Sequence, residues 1–305
     1  MFCRSRRRAR LASLDGVEFV KGHGTENDFV VLPDPDGSID LDTDGGDLVR
    51  ALCHRRRGIG ADGVLRVVRA DAPVALAAGA TGATGATDSG SGATWFMDYR
   101  NADGSVAEMC GNGVRVFARY LVDAGLVAPG THPVATRAGT RTVTVDHAGP
   151  VTVDMGPAVL GDGSVAIVDG IEMRGVAVDV GNPHLACVTR DGTDLRALDL
   201  ASTPVIDRSR FPHGVNVEVL TPLVDDAVHL RVHERGSGET RSCGTGTVAG
   251  AVAALHAAGR GGGTVTVHAP GGTLLVGVDG TTTTLTGPAE LVARGTWRAP
   301  MPAGV

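Results

Sequence analysis

Aromatic side chains are scarce, at 3% of the 305 residues, so any core must be built from aliphatic ones. Lysine is scarcer still: Lys21 is the only one, and a pyridoxal-phosphate enzyme would have to use it for its Schiff base. Positive charge is not in excess; the net charge of -6 argues against a general nucleic-acid surface. No apolar run approaches the roughly 20 residues that span a membrane, so no membrane partner is expected. The five cysteines (Cys3, Cys53, Cys110, Cys187 and Cys243) are odd in number and form no Cys-x-x-Cys pair. That disfavours both a disulfide scaffold and a zinc site, and no metal is expected. A reducing cytoplasm fits this cysteine usage.

What the chain does have is an apolar content of 42%, enough for a globular protein with one large or two ordinary domains. Residues 1–16 are an Arg-rich tail without the apolar stretch of a secretion signal. Strand-like runs at 17–20 and 29–32 flank the polar loop Gly22-His23-Gly24-Thr25-Glu26-Asn27-Asp28. Residues 48–53 read as a short helix. Gly58-Ile59-Gly60-Ala61-Asp62-Gly63 matches G-x-G-x-x-G, but a strand-like run follows it, not the helix that a dinucleotide site needs. Residues 75–94, rich in Ala, Gly, Thr and Ser, read as a flexible surface insertion. Alternating segments at 131–145, 151–155, 176–180, 185–188, 215–220 and 228–232 make strands outnumber helices. The expectation is an α+β fold of two pseudo-symmetric domains, 17–130 and 131–284. Each is a curved, mostly antiparallel, barrel-like sheet around a central helix, and 285–305 return to the first domain.

Two stretches repeat. Met109-Cys110-Gly111-Asn112-Gly113 runs into helical apolar spacing at Val114, Phe117, Tyr120 and Leu121, and Ser242-Cys243-Gly244-Thr245-Gly246 leads into 247–255. Each therefore places a cysteine at the mouth of a helix. There the amides lack intrahelical partners and the helix dipole favours an anion. The thiol pKa is expected to fall from its free value of about 8.5. The same amides suit a carboxylate. One thiol on each face of the carbon beside that carboxylate is what a two-base stereoinversion needs: a thiolate removes the α-proton and a thiol returns one on the opposite side. Cys53 and Cys187 read as small core residues. Two polar settings recur beside these motifs, Gly181-Asn182-Pro183-His184 between two strands and His233-Glu234-Arg235 at a strand end.

These motifs, in order from about residue 17 onward, resemble the diaminopimelate epimerase family. The resemblance is carried by 21–29, Arg57-Gly58-Ile59-Gly60-Ala61-Asp62-Gly63, 99–105, 109–113, 181–184 and 234–246. It implies two similar domains with the site in the cleft between them, no cofactor, a homodimer, and reversible conversion of LL- to meso-diaminopimelate. By position it makes Cys110 and Cys243 the acid/base pair. Gly111, Asn112, Gly244 and Thr245 would hold the reacting carboxylate through main-chain amides. Glu234 would meet the reacting ammonium and tune Cys243, and His184 would tune Cys110. Asn27, Asn101, Asn182, Asn216 and Arg235 would hold the distal, unreacting centre. Where some members carry a substrate-binding Gln, this chain has Gly63, which offers only backbone.

A proline-racemase-like enzyme is the nearest rival; that group typically has His where Asn112 follows Cys110-Gly111. A non-catalytic amino-acid-binding protein would not need both thiols, and a cysteine hydrolase would need one nucleophile, not two matched ones.

Overall fold

The computed structural model describes residues 16–42, 46–80, 92–190 and 192–298. Cys3, nearly all of the Arg-rich tail and the middle of the 75–94 segment lie outside the described residues. The chain divides into two compact units. Unit 1 comprises 1–24, 28–148 and 289–305; unit 2 comprises 25–27 and 149–288.

Unit 1 holds β1 (Val17–Gly24), β2 (Asn27–Pro33), helix α1 (Asp47–Cys53), β3 (Gly63–Arg69), helix α2 (Pro73–Ala77), β4 (Trp95–Asn101), helix α3 (Gly111–Asp123), β5 (Gly130–Thr136) and β6 (Gly139–Val145). Unit 2 holds β7 (Val151–Gly156), β8 (Val159–Val168), β9 (Ile171–Asp179), β10 (Pro183–Val188), β11 (Val205–Ile206), β12 (Asn216–Leu220), β13 (Ala227–Glu234), β14 (Gly238–Thr240), helix α4 (Gly244–Ala257), β15 (Gly263–Ala269), β16 (Gly272–Val278) and β17 (Thr283–Gly287). The last strand, β18 (Glu290–Trp297), belongs to unit 1 and pairs antiparallel with β1.

The two units repeat one strand plan. In unit 1 the order is β18-β1-β2-β3-β4-β5-β6; β2–β3 and β4–β5 are parallel, and β3–β4 and β5–β6 antiparallel. In unit 2 the order β8-β9-β10-β12-β13-β15-β16 repeats the sequence of pairings, with β10–β12 and β13–β15 parallel and β12–β13 and β15–β16 antiparallel. The duplication suggested by two cysteine motifs thus extends over seven strands of each unit. The hairpin β5–β6 sits in unit 1, beyond the boundary at 130/131 drawn from sequence, because β5 pairs with β4 through Trp95↔Val134 and Phe96↔Ala135.

Each unit wraps its strands around one helix. α3 packs against β1, β3, β4, β6 and β18, and is buried from Gly111 to Val122. α4 packs against β9, β10, β12, β13, β15, β16 and β17. A helix enclosed on all sides cannot keep a polar face for water. α4 meets that demand with Ala, Val and Gly, whereas α3 buries Arg115 and Arg119 among Val114, Val116, Phe117 and Leu121. Each of the fully buried large apolar side chains contributes about 1.5–3 kcal/mol. Unit 1 also buries an ion network. Arg66 bonds Asp34 at 2.7 Å and Asp98 at 3.3 Å, and Asp98 also takes Arg100 at 2.8 Å.

The segment 75–94 is anchored at both ends. α2 covers its first residues, and Ala75, Ala80 and Ala93 are buried in a small cluster with Val68 and Phe96. Among the described residues no helix is long and apolar enough to cross a membrane.

Candidate active site

Cys110 and Cys243 occupy the same position in their units. Each is the N-cap of the enclosed helix, in extended conformation, with φ -143° and -121° and ψ 120° in both. Each sulfur accepts from the amide three residues on, Gly113 N or Gly246 N, at 3.4 Å. The first intrahelical bond then runs from Val114 N to Cys110 O and from Thr247 N to Cys243 O, at 2.8 Å in both. The amides of Gly111 and Asn112, and of Gly244 and Thr245, precede that bond and lie at the positive end of the helix, where an anion is favoured.

The surroundings of the two sulfurs differ in charge. Cys243 is only 8% exposed, and burial pushes its thiol well above the ordinary range. The Glu234 carboxylate adds to that rise, as does Glu218, against the bonds from Thr245 and the Gly246 amide. This corrects the expectation of a lowered pKa at this cysteine. The dipole supplies on the order of one unit, while the sequence does not reveal that the sulfur is enclosed and faces two carboxylates. Cys110 is half-buried and has a cation nearby, the guanidinium of Arg115. Arg115 is fully buried, its Nη2 donates to Asn112 Oδ1 at 3.0 Å, and burial draws its pKa down to about 10 against the opposing pull of Cys110.

Glu234 ends β13. Burial raises its pKa, while hydrogen bonds with Thr240 and Cys243 act the other way. Arg235, next along, donates its backbone N–H to Asn216 Oδ1 at 2.8 Å and its Nη1 to His213 O at 3.2 Å. Asn216 also donates from Nδ2 to Pro183 O at 3.4 Å, so backbone groups engage both ends of its amide. His184 is completely buried. Its Nδ1 lies 2.7 Å from Glu218 Oε1 and its Nε2 3.0 Å from Asn182 Oδ1. In unit 1, Asn101 ends β4 and donates from Nδ2 to Ser105 Oγ at 2.9 Å. Asn27 is the first residue of β2, and the division into units counts it with unit 2.

The strand registers make these residues counterparts. In the parallel pairs, Phe29↔Gly63 corresponds to His184↔Asn216, and Val31↔Leu65 to Ala186↔Glu218. Asn27 and Asn182 each stand two residues before the first of these. Asn101 lies opposite Gly63, and Glu234 holds the same place at the end of β13. The expected polar residues therefore fall at equivalent strand ends of a repeated scaffold. Within unit 2 the structure brings Cys243, Glu234, Glu218, His184 and Asn182 into one network.

Glu218 and Arg115 were missed by the sequence reading. Each sits in an apolar pattern where a charge reads as a solvent-facing break. The strand registers make Leu65 the counterpart of Glu218, but the spacing to the cysteine differs between the halves, 45 residues against 25, so the sequence alone does not align the two. Cys53 and Cys187 lie in apolar cores, and burial pushes both thiols up to about 12. Among the described residues no group of three or more His, Cys, Asp or Glu is placed to hold a metal ion.

A family model described as diaminopimelate epimerase matches residues 19–161 and 176–292. The diaminopimelate epimerase of Rhodococcus jostii (strain RHA1) is 56% identical over 286 residues, covering 92% of this chain and 96% of that one. That of Mycolicibacterium smegmatis is 55% identical over 284 residues, covering 91% and 95%. Among solved structures, a hydroxyproline epimerase from Agrobacterium vitis with bound trans-4-hydroxy-L-proline matches with a TM-score of 0.66 at 18% identity, covering 94% of each chain. A PhzF-family phenazine biosynthesis protein from Enterococcus faecalis matches with a TM-score of 0.58 at 14% identity, covering 92% of this chain and 99% of that one. At those identities the structural matches speak for the fold.

Proposed function

This chain belongs to the diaminopimelate epimerase family, and from that premise we propose that it interconverts LL- and meso-2,6-diaminopimelate with Cys110 and Cys243 as a two-base pair. The observation that carries the proposal is the matched placement of the two thiols, each an N-cap whose sulfur takes an amide proton at 3.4 Å. Such a reaction serves lysine and peptidoglycan-precursor synthesis.

In this reading the resting enzyme is asymmetric. Cys243, enclosed and beside Glu234, keeps its proton and is the acid. Cys110, with Arg115 nearby, is the base. Cys110 takes the α-proton, negative charge develops on the carboxylate, and the amides of Gly111, Asn112, Gly244 and Thr245 stabilise that charge. Cys243 then returns a proton to the opposite face, and the reverse reaction exchanges the two roles. Glu234 faces the substrate ammonium, a cation that offsets the burial now raising its pKa. Asn27, Asn101, Asn182, Asn216 and Arg235 hold the distal centre. A substrate without that centre forgoes these polar contacts, which is the basis for selectivity. The chemistry calls for no cofactor. The reading also includes a homodimer working in the cytoplasm; a monomer in sedimentation equilibrium that is nonetheless fully active would remove the dimer from it.

The test is α-proton exchange of LL-diaminopimelate in D2O, under reducing conditions with a chelator, followed by NMR. Deuterium should enter with inversion and without added cofactor, and both Cys110→Ala and Cys243→Ala should abolish turnover. Exchange with proline or hydroxyproline in place of diaminopimelate would move the assignment to a racemase of that class.

A further inference from the structure

The two units share a strand plan, so each serves as a control for the other. In unit 1 the third residue of the enclosed helix, Gly113, is met by apolar side chains. A Cβ added there would lie 3.2 Å from Leu65 Cδ2 and 3.6 Å from Phe29 Cζ. Phe29 and Leu65 are both fully buried. In unit 2 the counterparts of that pair are His184 and Glu218, also fully buried, and a Cβ on Gly246 would lie 2.6 Å from Glu218 Oε1. The scaffold evidently closes around an apolar pair at these two positions. Unit 2 has replaced that pair with a buried imidazole and carboxylate.

The replacement is unfavourable for folding alone. A carboxylate withdrawn from water needs partners for both oxygens. Glu218 Oε1 has His184 Nδ1 at 2.7 Å, but Oε2 finds no hydrogen-bond partner among the described residues. A bare oxygen of this kind, in a site where the sister unit keeps leucine, marks a group retained for what it does to its neighbour. A carboxylate accepts only, so Nδ1 must carry the proton of the shared bond. That fixes both the ring orientation and the tautomer and leaves Nε2 as the nitrogen on the Asn182 side. The Asn182 amide can turn either its oxygen or its NH2 toward Nε2.

We propose that Glu218 is the positioning residue of this site: its buried carboxylate accepts the Nδ1–H of His184, locks the ring, and aims Nε2 and Asn182 at the substrate. The proposal rests on the reading of His184 and Asn182 as part of the substrate site.

The experiment uses the full chain, Glu218→Gln, His184→Phe, and the double variant His184→Phe/Glu218→Leu, which installs the apolar pair of unit 1. Glu218→Gln keeps the shape but offers an NH2 that can turn toward Nδ1 and reverse the tautomer. It should lower kcat by about 10–100-fold, by analogy with loss of the group that orients a metal-ligating histidine, with KM within about threefold. In 15N-resolved NMR of the histidine rings, His184 of the wild type should carry its proton at Nδ1, and Glu218→Gln should lose that signature. The double variant should unfold cooperatively, as the wild type does, and be inactive. Wild-type kcat in Glu218→Gln, with His184→Phe impaired, overturns the role of Glu218 and leaves the epimerase reading standing. Wild-type kcat in His184→Phe overturns the substrate-site reading of His184 and the inference with it. If Glu218→Gln does not fold, the wild-type spectrum decides: a bare Nδ1 overturns the proposal.

Discussion

Alanine placed at the third residue of each enclosed helix should act very differently in the two units. Either substitution gains about 1 kcal/mol of helix propensity over glycine. In Gly113→Ala the new methyl meets Leu65 Cδ2 at 3.2 Å and Cys110 Cβ at 3.4 Å. The leucine methyl is the far end of a rotatable side chain and yields by a few tenths of an ångström. Gain and loss should nearly cancel, leaving stability within about 1 kcal/mol of the wild type. In Gly246→Ala the methyl lands 2.6 Å from Glu218 Oε1, an atom already bonded to His184 at 2.7 Å and enclosed on every side. Overpacking costs about 1–3 kcal/mol, and breaking a hydrogen bond to a charged group about 1.5–3. After the helix gain the net loss is about 1.5–5 kcal/mol. Urea unfolding monitored by far-UV circular dichroism measures both variants, and α-proton exchange shows whether the displaced carboxylate also costs turnover. Equal midpoints for Gly113→Ala and Gly246→Ala, at unchanged slope, would refute the claim that the pocket around Glu218 is the tighter one.

Two stability predictions follow from the buried charges and thiols. Burial holds the folded pKa of Cys53 and Cys187 near 12, above the unfolded value of about 8.5. The native state therefore keeps these protons longer, and its stability falls as pH rises past the unfolded value, by about 1.4 kcal/mol per pH unit for each thiol. Urea titrations between about pH 9 and 10.5 should show that slope reduced by one thiol's share in Cys187→Ala; an unaltered slope would count against it. Arg66→Met removes a guanidinium bonded to both Asp34 and Asp98 inside unit 1, and should destabilise the protein by about 3–5 kcal/mol. A midpoint within error of the wild type would mean that the network relaxes around the loss.

The two cysteine motifs were more legible in the sequence than the scaffold around them. Cysteine followed by Gly-x-Gly and helical spacing is a local signal, and both helices begin where that signal places them, at Gly111 and Gly244. Strands with regular alternation, such as 151–155 and 228–232, were equally legible. β8, β15 and β16 were passed over because glycine and threonine interrupt their apolar residues, and what makes them strands is pairing to distant neighbours such as Val265↔Val276. The boundary at 130 failed for a related reason, since a parallel pairing with β4 decides where β5 belongs. Glu218 and Arg115 were hidden by the enclosure of their elements. A strand or helix covered on both faces has no solvent side, so a charge within it cannot be read as surface. The direction of the Cys243 shift was lost in the same way: the helix dipole is written in the sequence, the depth of the sulfur is not.

The pairing of β18 with β1, from Val17↔Trp297 to His23↔Glu290, bears on how the chain is made. Synthesis runs from the N-terminus at about 5–20 residues per second. The strands of unit 2 between 149 and 288 leave the ribosome while β1, emitted long before, still lacks the neighbour on its outer edge. Unit 1 begins first and closes last. Until β18 emerges, β1 presents an open row of amide and carbonyl groups, the kind of edge that recruits strands from other chains. A transcript cut short before codon 290 would leave unit 2 whole and unit 1 permanently unsealed, and the consequence to look for in the cell is aggregation rather than a half-active enzyme.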